Sequence, residues 1–175
     1  MIISLSGYMG SGKSHIANLL SERLNFKLID LDKEIISRHK TSISEIFEKK
    51  GEIYFRKIER EILEEILAMS QNTILSLGGG TPVYNNNIEV VNDRSESIFL
   101  RTSVKTLTER LSINKSKRPL IANLDIKDLP EFIAKHLFER TPYYSKSKFT
   151  IDTDNKTPEE IIEEIILLLD LPPQN

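Results

Sequence analysis

The chain of 175 residues predicts an α/β fold in which helices cover both faces of a parallel sheet. Two observations carry this. Short apolar runs of strand length alternate along the chain with stretches whose apolar residues recur at helical intervals, the pattern left when helices connect parallel strands. The first such run is nearly continuous in apolar character and stops abruptly at glycine, as a strand buried on both faces does.

Taken in order, residues 2–6 form that first strand, and from Lys13 the spacing changes, with Ile16, Leu19, Leu20 and Leu24 at helical intervals. Residues 26–29 read as a second strand ending at Asp30-Leu31-Asp32. The next stretch is helical: Ser42-Ile43-Ser44-Glu45 has capping-box form, and Ile58, Ile62, Leu63, Ile66 and Leu67 make an apolar stripe. A third strand at 73–77 runs into Gly78-Gly79-Gly80-Thr81-Pro82, which continues neither kind of regular element. A strand at 97–101 precedes a helix at 104–111 capped by Thr102 or Ser103. Between residues 112 and 124 the periodicity disappears, Lys115, Lys117, Arg118, Pro119 and Asn123 dominate, and the segment reads as an exposed, mobile loop. A helix near 127–138, a strand at 149–152 and a last helix opening on Thr157-Pro158-Glu159-Glu160 complete the order. No repeat or linker interrupts it, so 1–175 reads as one domain.

Composition narrows the function classes. Hydrophobic residues at 39% and charged residues at 29% suit an ordinary globular protein with a sizeable core. The net charge of -2 shows no basic excess that would draw the chain to nucleic acid or to an anionic membrane. Without cysteine there is no disulfide framework and no thiolate metal site, so a metal would need oxygen or nitrogen ligands. The first residues lack a basic leader and no apolar run approaches membrane-spanning length, which makes the cytoplasm the expected compartment.

Chemistry enters with Gly7-Tyr8-Met9-Gly10-Ser11-Gly12-Lys13-Ser14, which fits G-x-x-x-x-G-K-[ST] in full between a predicted strand and a predicted helix. Glycines let consecutive backbone N–H groups converge on phosphate oxygens, and the helix start adds roughly half a positive charge there. Lys13 would reach the β- and γ-phosphates of ATP, and the Ser14 hydroxyl would bind a magnesium ion. His15 after the loop reads as an exposed helix-start residue.

The order and spacing of the motifs resemble those of the shikimate kinase family over nearly the whole chain. The marks are the phosphate loop, Asp30-Leu31-Asp32, Phe55-Arg56, Gly78-Gly79-Gly80, Arg118-Pro119-Leu120 and Arg140 followed by Tyr144. The resemblance implies a nucleoside-monophosphate-kinase-like P-loop fold, three layers α/β/α around a five-stranded parallel sheet, with a substrate-binding region at about 32–62 and a mobile lid at about 112–124. It implies transfer of the ATP γ-phosphate to the 3-hydroxyl of shikimate, on the route to chorismate and aromatic amino acids, with Mg2+. No long apolar surface is evident in the sequence, which makes a monomer the expected form.

The resemblance also distributes roles. Gly10, Ser11, Gly12, Lys13, Ser14 and His15 would surround the phosphates. Asp32 would meet the substrate hydroxyls, and Asp30 would hold magnesium through water. Asp32 as the cap of the next helix is an equal reading of the residue itself. Arg56 and Arg140 would clamp the substrate carboxylate, a task suited to planar guanidinium forks; for Arg56 an ion pair with Glu52 is the plainer alternative. Gly78, Gly79 and Gly80 would bring backbone close to substrate or make a tight turn. Ser76 stands on the magnesium side or is a buried strand serine. Arg118 would reach the phosphates from the lid, and Arg110 and Lys156 would lie toward adenine. A gluconate-kinase-like or nucleoside monophosphate kinase is the nearest alternative; a GTP-dependent switch would need a D-x-x-G and an N-K-x-D segment, and the chain has neither.

Overall fold

The structure, a computed structural model, describes residues 1–113 and 120–171. Among these, five strands form one sheet: β1 (Ile2–Ser6), β2 (Lys27–Asp30), β3 (Thr73–Ser76), β4 (Glu96–Arg101) and β5 (Phe149–Asp152). Their order is β2-β3-β1-β4-β5 and every pair is parallel. The helices are α1 (Lys13–Leu24), α2 (Leu31–His39), α3 (Ile43–Leu67), α4 (Asn87–Arg94), α5 (Val104–Ile113), α6 (Leu129–Tyr144) and α7 (Pro158–Leu168). This is the expected α/β/α arrangement.

The period of two along β1 explains the layers. Ile3 and Leu5 join the cluster formed with Ile16 and Leu20 of α1 and Ile161 and Ile165 of α7. Ile2 joins the opposite cluster, with Ile35 of α2 and Ile62, Leu63 and Ile66 of α3. Ser4 and Ser6 alternate with the apolar pair, and their buried hydroxyls are satisfied: Ser4 Oγ lies 2.8 Å from Ser95 Oγ, and Ser6 Oγ donates to the Ile98 carbonyl at 3.3 Å. A third cluster packs Tyr8, Phe99, Leu107, Leu111, Ile121 and Tyr144 beside the loop that follows β1.

The capping boxes form where the sequence places them. Ser42 Oγ accepts from Glu45 N while Glu45 returns a carboxylate oxygen to Ser42 N, and Thr157 and Glu160 repeat the pattern. At α5 the cap is Ser103, whose Oγ accepts from Thr106 N at 3.2 Å; Thr102 is buried instead against Thr153. Other boundaries differ from expectation. The long helical stretch divides into α2 and α3 at Lys40, which is left-handed with φ 54°, and α3 breaks at Gly51, with φ 81° and ψ 171°. Helix α4, unforeseen, buries Ile88 and Val91 from an otherwise polar segment. Helix α6 runs on past residue 138 and through Pro142, because Tyr144 is wholly buried in the third cluster. Of the segment expected as an exposed loop at 112–124, Ser112 and Ile113 belong to α5 and Ile121 is fully buried.

Candidate active site

The carboxyl ends of β1, β2 and β3 meet at one edge of the sheet, where open α/β folds hold ligands. The loop leaving β1 needs its glycines: Gly10 and Gly12 have φ of 84° and 97°, and a Cβ on Gly7 would stand 2.9 Å from the Leu100 carbonyl oxygen. Gly12 starts α1 without a side-chain cap, so the first amides of that helix are left to the cavity beside it. Lys13 Nζ folds back to donate to the carbonyls of Gly7 and Tyr8 at 2.7 and 3.0 Å. Ser11 is buried, and its Oγ is the one buried side-chain polar atom among the described residues without a hydrogen-bond partner. A cradle that ends in an uncapped helix and carries a lysine suits polyphosphate.

The two aspartates after β2 divide their work differently from expectation. The capping residue of α2 is Asp30, whose Oδ1 accepts from Lys33 N at 3.2 Å, so the capping role considered for Asp32 falls to its neighbour. Asp30 Oδ2 also lies 3.5 Å from the Ser14 hydroxyl, which donates to it. Asp32, in the first turn of α2, leans on the glycine turn: a Cβ on Gly78 would be 2.7 Å from Asp32 Oδ1. Burial, then the charges of Asp30 and Glu59, push its carboxyl up to about 6 against the pull of Lys13 and Arg56.

No group of three His, Asp or Glu side chains able to hold a metal ion occurs among the described residues. The Ser14 hydroxyl beside Asp30 is an all-oxygen pair, and it fits magnesium, which completes its shell with water and substrate phosphates rather than with a protein cage.

Two cavities open here. One, of about 450 Å³, is lined by the phosphate loop with Asp30, Ser76, His15 and Arg110. The other, of about 220 Å³, is lined by Arg56, Arg140, Glu59, Phe47 and Gly80. Met9, Asp32, Gly78 and Gly79 belong to both, so Asp32 stands where they join.

In the smaller cavity Arg56 is held from several sides. Its Nη1 donates to Glu59 at 2.9 Å and its guanidinium carbon sits 3.8 Å from the centroid of Tyr84. The Glu52 contacts, the plainer alternative for Arg56, are longer at 3.4 and 3.5 Å and belong to an exposed partner. Glu59, only 1% exposed, also accepts from Thr81 Oγ1 at 2.7 Å, tying Arg56 to the residue after the glycine turn. Gly78, Gly79 and Gly80 have no positive φ; a Cβ on Gly80 would meet the Arg56 guanidinium at 2.8 Å, as one on Gly78 would meet Asp32, so a side chain at either position would displace the charged group facing it. Arg140 Nη1 would be 3.6 Å from a Cβ on Gly79, and Tyr144 donates its hydroxyl to the Gly79 carbonyl at 2.6 Å.

Thus Lys13, Ser14, Asp30, Asp32, Ser76, Arg56, Arg140 and the glycine turn come together, and Arg110 joins them by donating to the Gly10 carbonyl at 3.2 Å. Lys156 lines neither cavity and pairs with Glu164. Arg118 lies outside the described residues. Glu59 and Tyr84 were not anticipated; the i,i+3 spacing of Glu59 from Arg56 was visible, but its burial was not.

A family model described as shikimate kinase matches residues 9–170. A shikimate kinase of Flavobacterium johnsoniae is 49% identical over 168 residues, covering 95% of this chain and 98% of its own. The crystal structure of a shikimate kinase from Bacteroides thetaiotaomicron superposes with a TM-score of 0.91 at 32% identity, covering 98% of this chain and 99% of that one. A shikimate kinase from Acinetobacter baumannii, solved in complex with shikimate, gives a TM-score of 0.84 at 30% identity over 97% of this chain and 93% of that one.

Proposed function

Because the chain belongs to the shikimate kinase family, we infer that it is an ATP-dependent kinase that phosphorylates the 3-hydroxyl of shikimate, giving shikimate 3-phosphate and ADP. The observation that carries this reading is the junction of two cavities at Asp32, one walled by a phosphate cradle and the other by two arginines. Guanidinium forks match a carboxylate, and a hydroxyl held between that anchor and the cradle would lie near Asp32. The acceptor oxygen bonds to the γ-phosphorus, the bond from that phosphorus to the β–γ bridging oxygen breaks, and the hydroxyl proton passes to Asp32 or to solvent. Since such transfers are usually loose, Asp32 orients the hydroxyl more than it strips it.

In this reading Gly10, Ser11, Gly12, Lys13 and Ser14 take the phosphates, with His15 beside them and Arg110 toward adenine; Arg118 and Lys156 complete the ATP side by the family pattern. Ser14 and Asp30, the latter through water, hold Mg2+, which when bound neutralises developing phosphate charge. Arg56 and Arg140 grip the acid over Gly78, Gly79 and Gly80. No helix among the described residues is long and apolar enough to cross a membrane, and we take the working form to be a cytoplasmic monomer.

The test is ADP release measured with shikimate, gluconate, a nucleoside monophosphate and no acceptor. Shikimate alone should give sustained turnover; release with gluconate or the nucleotide in its place overturns the choice of acceptor.

A further inference from the structure

Helix α6 presents His136, Arg140 and Tyr144 four residues apart on one face. Tyr144 reaches forward to the Gly79 carbonyl, as described, and His136 reaches back to the phosphate loop, its Nδ1 lying 3.1 Å from the Tyr8 hydroxyl. Arg140 lies between them, its guanidinium 5.8 Å from the centroid of the Tyr8 ring. Nothing in the assigned chemistry uses the Tyr8 hydroxyl or the His136 ring. Tyr8 is 1% exposed, and a polar hydroxyl buried so deeply in the loop needs a partner.

The chemistry of the pair agrees. Burial, and then the Arg140 and Lys135 charges against that of Glu139, hold His136 below its ordinary value, so at neutral pH it carries a ring nitrogen able to accept. Burial pushes the Tyr8 phenol up to about 12, with Tyr144 adding to the rise and Arg140 opposing it, so the phenol keeps its proton to donate. Phe132 packs against the imidazole, with 4.4 Å between ring centroids and the planes tilted by 47°.

Resting on the reading of Arg140 as a carboxylate anchor, we propose that Tyr8 and His136 are positioning residues for that arginine: their hydrogen bond locks α6 to the phosphate loop and so sets where the Arg140 guanidinium meets the acid. The pair touches no substrate; it acts through the placement of Arg140.

The experiment compares wild type with Tyr8→Phe, which keeps the ring under Arg140 and removes only the hydroxyl, and with His136→Leu, the double variant and His136→Asn, whose amide can stand at the Nδ1 position. Losing one positioning hydrogen bond should raise the shikimate KM about fivefold, with direct titration of shikimate agreeing and kcat falling less than KM rises. The double variant should be no worse than either single one, since both break the same contact, and His136→Asn should recover most of the affinity. Unchanged shikimate affinity in Tyr8→Phe and His136→Leu, or equal losses for ATP and shikimate, overturns the proposal. A wild type that turns over no shikimate removes the functional reading and the proposal together, whereas an active wild type with indifferent variants removes the proposal alone.

Discussion

At Asp32 the environment works against the ionised form and for the chemistry. A carboxyl raised to about 6 is ionised at neutral pH yet basic enough to share a proton with the acceptor hydroxyl. We expect kcat/KM to fall on the acid side with an apparent midpoint near 6, and Asp32→Asn to lose most of its turnover along with that limb; a limb that survives in the variant assigns it to another group. Stability should move the other way. Below 3.8 both folded and unfolded chains hold the proton; between 3.8 and about 6 the unfolded chain releases it first, so rising pH destabilises the fold, and above that the cost is complete. The rise corresponds to roughly 3 kcal/mol, so Asp32→Asn should melt higher than wild type at pH 7 and lose that advantage toward pH 4, as thermal melts at the two pH values would show. The glycine turn gives a sharper contrast. Gly78→Ala should depress kcat by displacing Asp32, and Gly80→Ala should raise the shikimate KM by displacing Arg56, whereas Gly79→Ala, whose nearest neighbour is at 3.6 Å, should be tolerated best. Equal effects at all three would show that the turn, and not these close approaches, is what glycine serves. The sequence announced the three glycines as a turn or a substrate contact but not which of them meets which side chain, because that depends on how α2 and α3 pack across β3.

Elements were legible where their signals are local. The capping box at Ser42, the cap, proline and early acids that open α7, the start of α1 just after the glycine loop and the five strands rest on residues within a few positions of one another, and these readings match the structure. Helix α4 escaped notice because its amphipathic stripe is short and its cap, Asn86, is left-handed with no side-chain hydrogen bond; the end of α6 escaped because burial of Tyr144 outweighs the stop signal of Pro142. At α3 the cap bears on function. The turn that Ser42 starts carries Ile43 and Phe47 into the smaller cavity, while Gly51 separates it from the rest of the helix. Ser42→Ala should cost about 1 kcal/mol and raise the KM for shikimate while leaving that for ATP alone; equal changes in both would contradict a local role for this turn.

On the scale of the whole molecule, three apolar clusters share β1 and the loop after it, so the phosphate cradle is braced by the same packing that holds the sheet. Nucleotide bound there stabilises the native state by mass action. At a hundredfold excess over Kd, ATP with magnesium should add about 2.7 kcal/mol, or roughly 8 °C in melting temperature for a chain of this size, and a scan with and without the ligand checks it; no shift would remove nucleotide binding from the account. The cradle was readable because a single contiguous motif encodes it between a strand and a helix, whereas the strand order and the joining of two cavities were not, since they depend on segments far apart in sequence. That junction has a consequence for inhibition. Because the chambers share Met9, Asp32, Gly78 and Gly79 as a common wall, an acid head tethered to a phosphate-rich tail by a short linker would fill both at once. The second half would then bind at an effective concentration set by the tether, and avidity would far exceed that of either fragment without any new contact.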